Sequence, residues 1–183
     1  MAVKTFTTGE VLTAADTNTY LNNGGLVYIT GTTGTATAAI NVNNCFSATY
    51  DNYRIVISNG TADATRSIYL RMRASGTDST ASYYYGARYA LFSGAGGADV
   101  TGSNVGQFAP ATFSTSPKSS TTFDVCNPFD AVHTTIMGVG SNFDAWYSFG
   151  GVHQVNTSYD GFTLYPAAGT LTCVVRVYGY REA

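Results

Sequence analysis

The sequence predicts an all-β fold, an antiparallel β-sandwich or jelly roll preceded by a short N-terminal helical anchor. Three observations predict it. Short runs with alternating apolar and polar residues recur from residue 26 to the end of the chain. Clusters of Gly, Ser, Thr, Asn and Asp separate these runs, as turns between antiparallel strands require. Aromatic residues reach 14% while charged residues make up only 11%, against roughly 25% charged in an average soluble domain. With 183 residues, the chain has room for one well-buried core and an appendage. The expected division is an attachment segment over residues 1–25 and a β domain over residues 26–183.

The first element is the only convincing helical stretch. Thr13 is its N-cap candidate, and Asp16 completes a capping-box-like arrangement while favouring the positive helix end. Leu12 staples the first turn, Tyr20 and Leu21 supply an apolar end, and Asn22-Asn23-Gly24-Gly25 stops the helix. A helix shorter than about 12 residues is marginal alone, so this one is expected to dock on something.

Ten strands are expected after it, over residues 26–30, 36–42, 53–58, 67–74, 82–92, 121–126, 134–139, 145–154, 161–165 and 171–180. Period two is clearest where Ile68, Leu70 and Met72 oppose Tyr69, Arg71 and Arg73, and where Val175 and Val177 oppose Arg176 and Tyr178. Turns are expected at Ser58-Asn59-Gly60, Ala74-Ser75-Gly76, Gly94-Ala95-Gly96-Gly97 and Asp160-Gly161. Residues 93–106, and 114–122 around Pro117, are the longest loop-like runs, and long loops on a β scaffold are where binding tends to reside.

The vocabulary of catalysis is sparse, so no catalytic residue, metal site or cofactor is expected and the chain is not read as an enzyme. His133 and His153 are the only histidines, and neither has metal-ligand spacing to a second ligand. Cys45, Cys126 and Cys173 are odd in number and flanked by strand-like residues, which suits small core side chains better than a disulfide framework. A carbohydrate-cleaving enzyme needs two convergent carboxylates. Asp124, Asp130, Asp144 and Asp160 are the candidates, but each sits near a turn or strand end, where Asp serves local hydrogen bonding.

The stronger feature is aromatic. Tyr83, Tyr85, Tyr89, Trp146 and Tyr147 are the candidate surface-binding residues, with Arg88 among them. Alternation along strands sends about half of any such run into the core, so packing in the core and at a subunit interface competes with a platform for sugar rings or a receptor.

Net charge is −2 and the isoelectric point about 5.5. That leaves no clustered positive field for nucleic acid. No apolar run approaches the roughly 20 residues that cross a bilayer, so no membrane insertion is expected. Met1 to Phe6 lack the basic and apolar regions of a signal peptide, so synthesis in a cytoplasm is expected. So little charge also means that part of the surface is expected to be covered by other copies or by a partner.

The opening run Phe6-Thr7-Thr8-Gly9-Glu10-Val11-Leu12-Thr13-Ala14-Ala15-Asp16-Thr17-Asn18-Thr19-Tyr20-Leu21 resembles the N-terminal segment of bacteriophage tail-fibre and minor virion proteins. There a phrase like F-x-x-G-E-V-L-T-A-A-D-x-N-x-Y-L precedes a variable body. Tyr50-Asp51-Asn52-Tyr53-Arg54-Ile55-Val56, then Leu70-Arg71-Met72-Arg73 and Tyr83-Tyr84-Tyr85, resemble the β body behind such openings. The resemblance implies a virion protein, a homotrimeric short tail fibre or receptor-binding knob. Glu10, Leu12, Asp16, Tyr20 and Leu21 would attach it to a tail or baseplate adaptor, and the β domain would face a host-surface glycan or protein. The chain lacks the heptads or β repeats of a long fibre shaft, which leaves a capsid decoration protein seated on the major capsid protein as the alternative. A polysaccharide depolymerase is the enzymatic one.

Overall fold

The computed structural model describes residues 7–11, 13, 25–116 and 118–181, and within them the chain is all-β with no helix. Thr13 is described, but the helix expected to follow it, with Leu12, Asp16, Tyr20 and Leu21, lies outside the described residues. Glu10 lies inside them, exposed, with its carboxylate accepting a 3.2 Å hydrogen bond from the Thr7 amide.

Thirteen strands follow: β1 (Leu26–Thr37), β2 (Ile40–Val42), β3 (Asn52–Ala62), β4 (Arg66–Ala74), β5 (Thr77–Asp78), β6 (Tyr83–Leu91), β7 (Gly97–Val105), β8 (Phe108–Phe113), β9 (Ser119–Cys126), β10 (Thr134–Ser141), β11 (Ala145–His153), β12 (Gly161–Pro166) and β13 (Leu171–Tyr180). They form two antiparallel sheets. One has eight strands in the order β1-β13-β3-β9-β10-β11-β6-β7; the other runs β2-β12-β4-β5, with β8 also paired to β4.

Both sheets send one face into a shared apolar core. Ile68, Leu70 and Met72 of β4 and Val175 and Val177 of β13 are fully buried, while Tyr69, Arg71 and Arg73 are half-buried and Arg176 is exposed, as the alternation predicts. Aromatic rings tie the layers together. Phe46 stacks on Phe162 of β12 at 5.9 Å, and Tyr83 of β6 meets the edge of Phe108 of β8 at 4.8 Å. Each such buried side chain contributes about 1.5–3 kcal/mol of transfer free energy. Cys45 and Cys173 are buried and Cys126 is half-buried, and all three are free. Burial pushes the Cys173 thiol up to about 12, so it stays protonated at neutral pH.

The Ala74–Gly76 turn forms as expected. Ser75 and Gly76 both have positive φ (49° and 80°), the geometry of a two-residue hairpin, and they join β4 to β5 with Ala74 paired to Thr77. Ser58-Asn59-Gly60 is not a turn. β3 runs through it as a bulge with Asn59 at φ 56°, and a Cβ on Gly60 would lie 2.6 Å from the Phe113 ring. Residues 36–42 are not one strand either. β1 continues through Ala36 (φ 46°) to Thr37, and the chain then changes sheets before β2.

Residues 93–106 are a correction of more consequence. Only 92–96 turn; 97–105 are β7, the outer strand of the eight-stranded sheet. Its Gly-, Ser- and Thr-rich sequence shows no alternation because nearly every residue is solvent-exposed on both faces. β8 also escaped the sequence pattern, since Pro110 interrupts it. Ser119 and Ser120, expected in a loop, open β9.

Candidate functional site

β11 pairs with β6 so that Tyr147 faces Tyr89, Trp146 faces Ala90 and His153 faces Tyr83. Alternation then sorts the five candidate aromatics, and they do not form one surface. Tyr83 is 0% exposed and Tyr147 7%, so neither is a surface residue. The Tyr83 hydroxyl accepts from the Met72 amide at 2.8 Å and donates to the Ser79 carbonyl at 3.0 Å. Tyr85 and Tyr89 are half-buried and pack on the core. Trp146 is 46% exposed on the opposite, outer face.

Tyr89 and Tyr147 nevertheless share a cleft of about 350 Å³ between the end of the eight-stranded sheet and β8 with the start of β4. Small side chains create it. Ala87, Ala109, Ala111 and Ala145 line positions where larger residues would close the two layers. Leu91 and Val100 add apolar wall, while Thr65, Ser67 and Asp144 supply polar groups; Arg88, one residue before Tyr89, faces the other side of the sheet with Ser148. The 142–145 turn is held by the Asn142 Oδ1, which accepts from the amides of Asp144 and Ala145 at 2.9 Å each. The Tyr147 hydroxyl is 2.6 Å from Thr121 Oγ1, a hydrogen bond that fixes one wall of the cleft, and burial raises its pKa.

The outer face of the eight-stranded sheet is the second surface. Met137 is 64% and Val139 59% exposed. In register, Met137 lies between Asp124 and Gly150, Val139 between Thr122 and Ser148, and Ser141 between Ser120 and Trp146. The result is an apolar band along β10 and β11, bordered on β9 by Asp124. Charges beside it are matched within the sheet. Arg54 grips Asp124 through two hydrogen bonds of 2.8 and 2.9 Å, Tyr180 donates to Asp124 at 2.7 Å, and Arg88 lies 3.8 Å from Asp99. Burial opposes ionisation of Asp124, but the Arg54 and Tyr180 hydrogen bonds outweigh it and hold the carboxyl below its usual range. Burial and that same bond push the Tyr180 phenol up to about 12.

No protein-family model, no curated protein and no solved structure matches this chain.

The four aspartates proposed for carbohydrate cleavage have separate surroundings. Asp124 is engaged with Arg54 and Tyr180, Asp160 accepts from the Ser75 amide at 3.0 Å, Asp144 lies at the cleft, and Asp130 is exposed. Among the described residues no three His, Cys, Asp or Glu side chains are grouped to hold a metal, and no helix is long and apolar enough to cross a membrane.

His153 is fully buried and structural. Its Nδ1 lies 3.2 Å from the Ser82 carbonyl and so carries the proton, its Nε2 accepts from the Tyr159 hydroxyl at 2.6 Å, and its ring stacks on Tyr83 at 4.0 Å. Burial is the main reason its pKa lies below the ordinary value, and nearby His133 adds to the effect. An unfolded chain takes up this proton near pH 6.5 while the fold resists it. The contribution to stability is therefore present above about pH 6.5 and lost as pH falls through the lower, folded-state pKa. Denaturant midpoints measured from pH 7.5 to 5 are expected to fall, with a flatter dependence in His153→Asn, which keeps the donor to Ser82; an equal slope in the variant would remove His153 as the cause.

Sequence reasoning missed the cleft because Ala109, Ala111 and Thr112 belong to the unrecognised β8. The outer band was partly visible, since Met137 and Val139 flank the inward-facing side of β10 and make both of its faces apolar.

Proposed function

We propose that this chain is a self-associating structural and adhesive protein of a virion, a short tail fibre or receptor-binding knob. Residues 1–25 attach it to the tail or baseplate, and the β domain assembles into a homotrimer and faces the host surface. The two sheets serve this role as layers of unequal size, with the larger layer turned toward neighbouring copies.

The observation that carries the proposal is the outer band of Met137, Val139 and Trp146, exposed on a sheet whose neighbouring carboxylates Asp124 and Asp99 are each matched to an arginine. A flat, neutral apolar surface loses water at low electrostatic cost when a second surface covers it. The opening Gly9-Glu10-Val11-Leu12 phrase and its resemblance to virion proteins supply the location.

Deletion of residues 1–25 is expected to leave a folded, oligomeric β domain that no longer enters particles, as judged by circular dichroism, light scattering and immunoblots of purified virions. Incorporation of the truncated chain would overturn the attachment role. Electron cryo-microscopy of particles then separates the tail from the alternative position on the capsid lattice, where the same band would seat on capsid subunits. Release of soluble sugar from host envelopes by the purified chain would instead support a depolymerase.

A further inference from the structure

We propose that the open edge of β7 is a strand-addition site for β1 of a second copy, so that neighbouring copies share one continuous antiparallel sheet. The proposal rests on the self-association argued above and gives it a place and a strand-to-strand pairing.

The two sheets treat their edges differently. An edge strand presents unpaired backbone N–H and C=O groups to any other chain, and proteins blunt such edges with short strands, proline or charge. The smaller sheet does so. It ends in β2 with three residues and β5 with two, and β8, which also flanks β4, carries Pro110. The larger sheet ends in β1 with twelve residues and β7 with nine. Neither contains Lys, Arg or Pro, and among the described residues no strand pairs with the outer side of either. Bulges leave residues 30–34 of β1 and 97–102 of β7 as the regular stretches.

Hydrogen bonding along β7 alternates in direction. The Leu91 amide donates to the Gly96 carbonyl at 3.0 Å, and the register continues as Tyr89 with Ala98, Ala87 with Val100 and Tyr85 with Gly102. Residues 98, 100 and 102 therefore bond to β6, while the amides and carbonyls of Gly97, Asp99 and Thr101 point to the open side.

Strand parity and charge select the partner. Eight strands, each antiparallel to its neighbours, make β1 and β7 run in opposite directions. The β1 edge of a following copy, its sheet in the same sense, thus meets β7 antiparallel, and repetition about an axis closes a ring. Two β7 strands would also pair antiparallel, but with outer faces matched a full overlap brings their Asp99 carboxylates opposite or diagonal to each other. β1 has no charged residue. Edge pairing lies in the plane of the sheet, so the Met137 and Val139 face stays available for burial in the same assembly.

Amide hydrogen exchange of the full chain, measured above and below the concentration at which it self-associates, tests the pairing. The amides of Gly97, Asp99 and Thr101 and alternate amides of residues 30–34 are expected to exchange about tenfold or more slowly in the oligomer, while Ala98 and Val100 are protected in both states. Thr101→Pro removes one outward donor without touching the β6 ladder and is expected to weaken self-association about tenfold, with circular dichroism unchanged. Thr101→Ala keeps the amide and is expected to associate as the native chain does. An oligomer in which Gly97, Asp99 and Thr101 exchange freely would overturn the edge pairing and leave self-association through another surface standing. Protection of β7 without β1 would make a second β7 the partner strand, and equal protection at both concentrations would mean that the chain covers its own edge; either overturns the proposal. A chain monomeric at every concentration would remove self-association and the edge pairing with it.

Discussion

Replacing Tyr83 by alanine is expected to cost about 3–5 kcal/mol of folding stability, the range for deleting a large buried aromatic ring. The ring fills the junction between the sheets, stacked on His153 at 4.0 Å and edge-on to Phe108 at 4.8 Å. Its hydroxyl also satisfies the buried Met72 amide. Tyr83→Phe keeps the ring and leaves that amide without its acceptor, so a smaller loss of about 1–3 kcal/mol is expected. Urea denaturation of the two variants measures both. A loss within about 0.5 kcal/mol for Tyr83→Ala, the range of surface substitutions, would mean that Tyr83 is a surface residue after all.

The largest effect on assembly is expected from Met137→Glu with Val139→Glu. Each exposed side chain that becomes covered contributes up to about 1.5–3 kcal/mol, and each introduced carboxylate would have to be dehydrated against a neutral surface. The two changes together are expected to weaken self-association at least a hundredfold, since 1.4 kcal/mol is about tenfold. The fold should survive, because both positions point away from the core. Light scattering at micromolar protein should show an oligomer for the native chain and a monomer for the variant, with unchanged circular dichroism. An unchanged oligomer would move the interface away from this band, and a native chain that is monomeric at every concentration would remove self-association from the proposed function.

The buried core and the outer band differ in how much of them the amino-acid order reveals. Alternation at Ile68, Leu70 and Met72 and at Val175 and Val177 is a local property, since successive residues of a strand face opposite ways. The strands built on it, their inward faces and the all-β class follow from the sequence alone. So does the Ser75-Gly76 hairpin turn, because a tight turn between antiparallel strands demands positive φ where the chain offers small, permissive residues.

Tertiary structure decided the rest. Whether Tyr83 or Trp146 faces water depends on which side of the sheet the second layer covers, and that is set by partners as distant in sequence as β4, β8 and β12. Gly97 to Val105 is a strand only because β6 supplies hydrogen bonds along one side, a stabilisation that its exposed, Gly- and Ser-rich sequence does not announce. The cleft likewise exists only where alanines from β6, β8 and β11 meet across the layers. Periodicity tells a strand which face is apolar, but not what that face will meet; contacts between residues far apart in the chain make that choice.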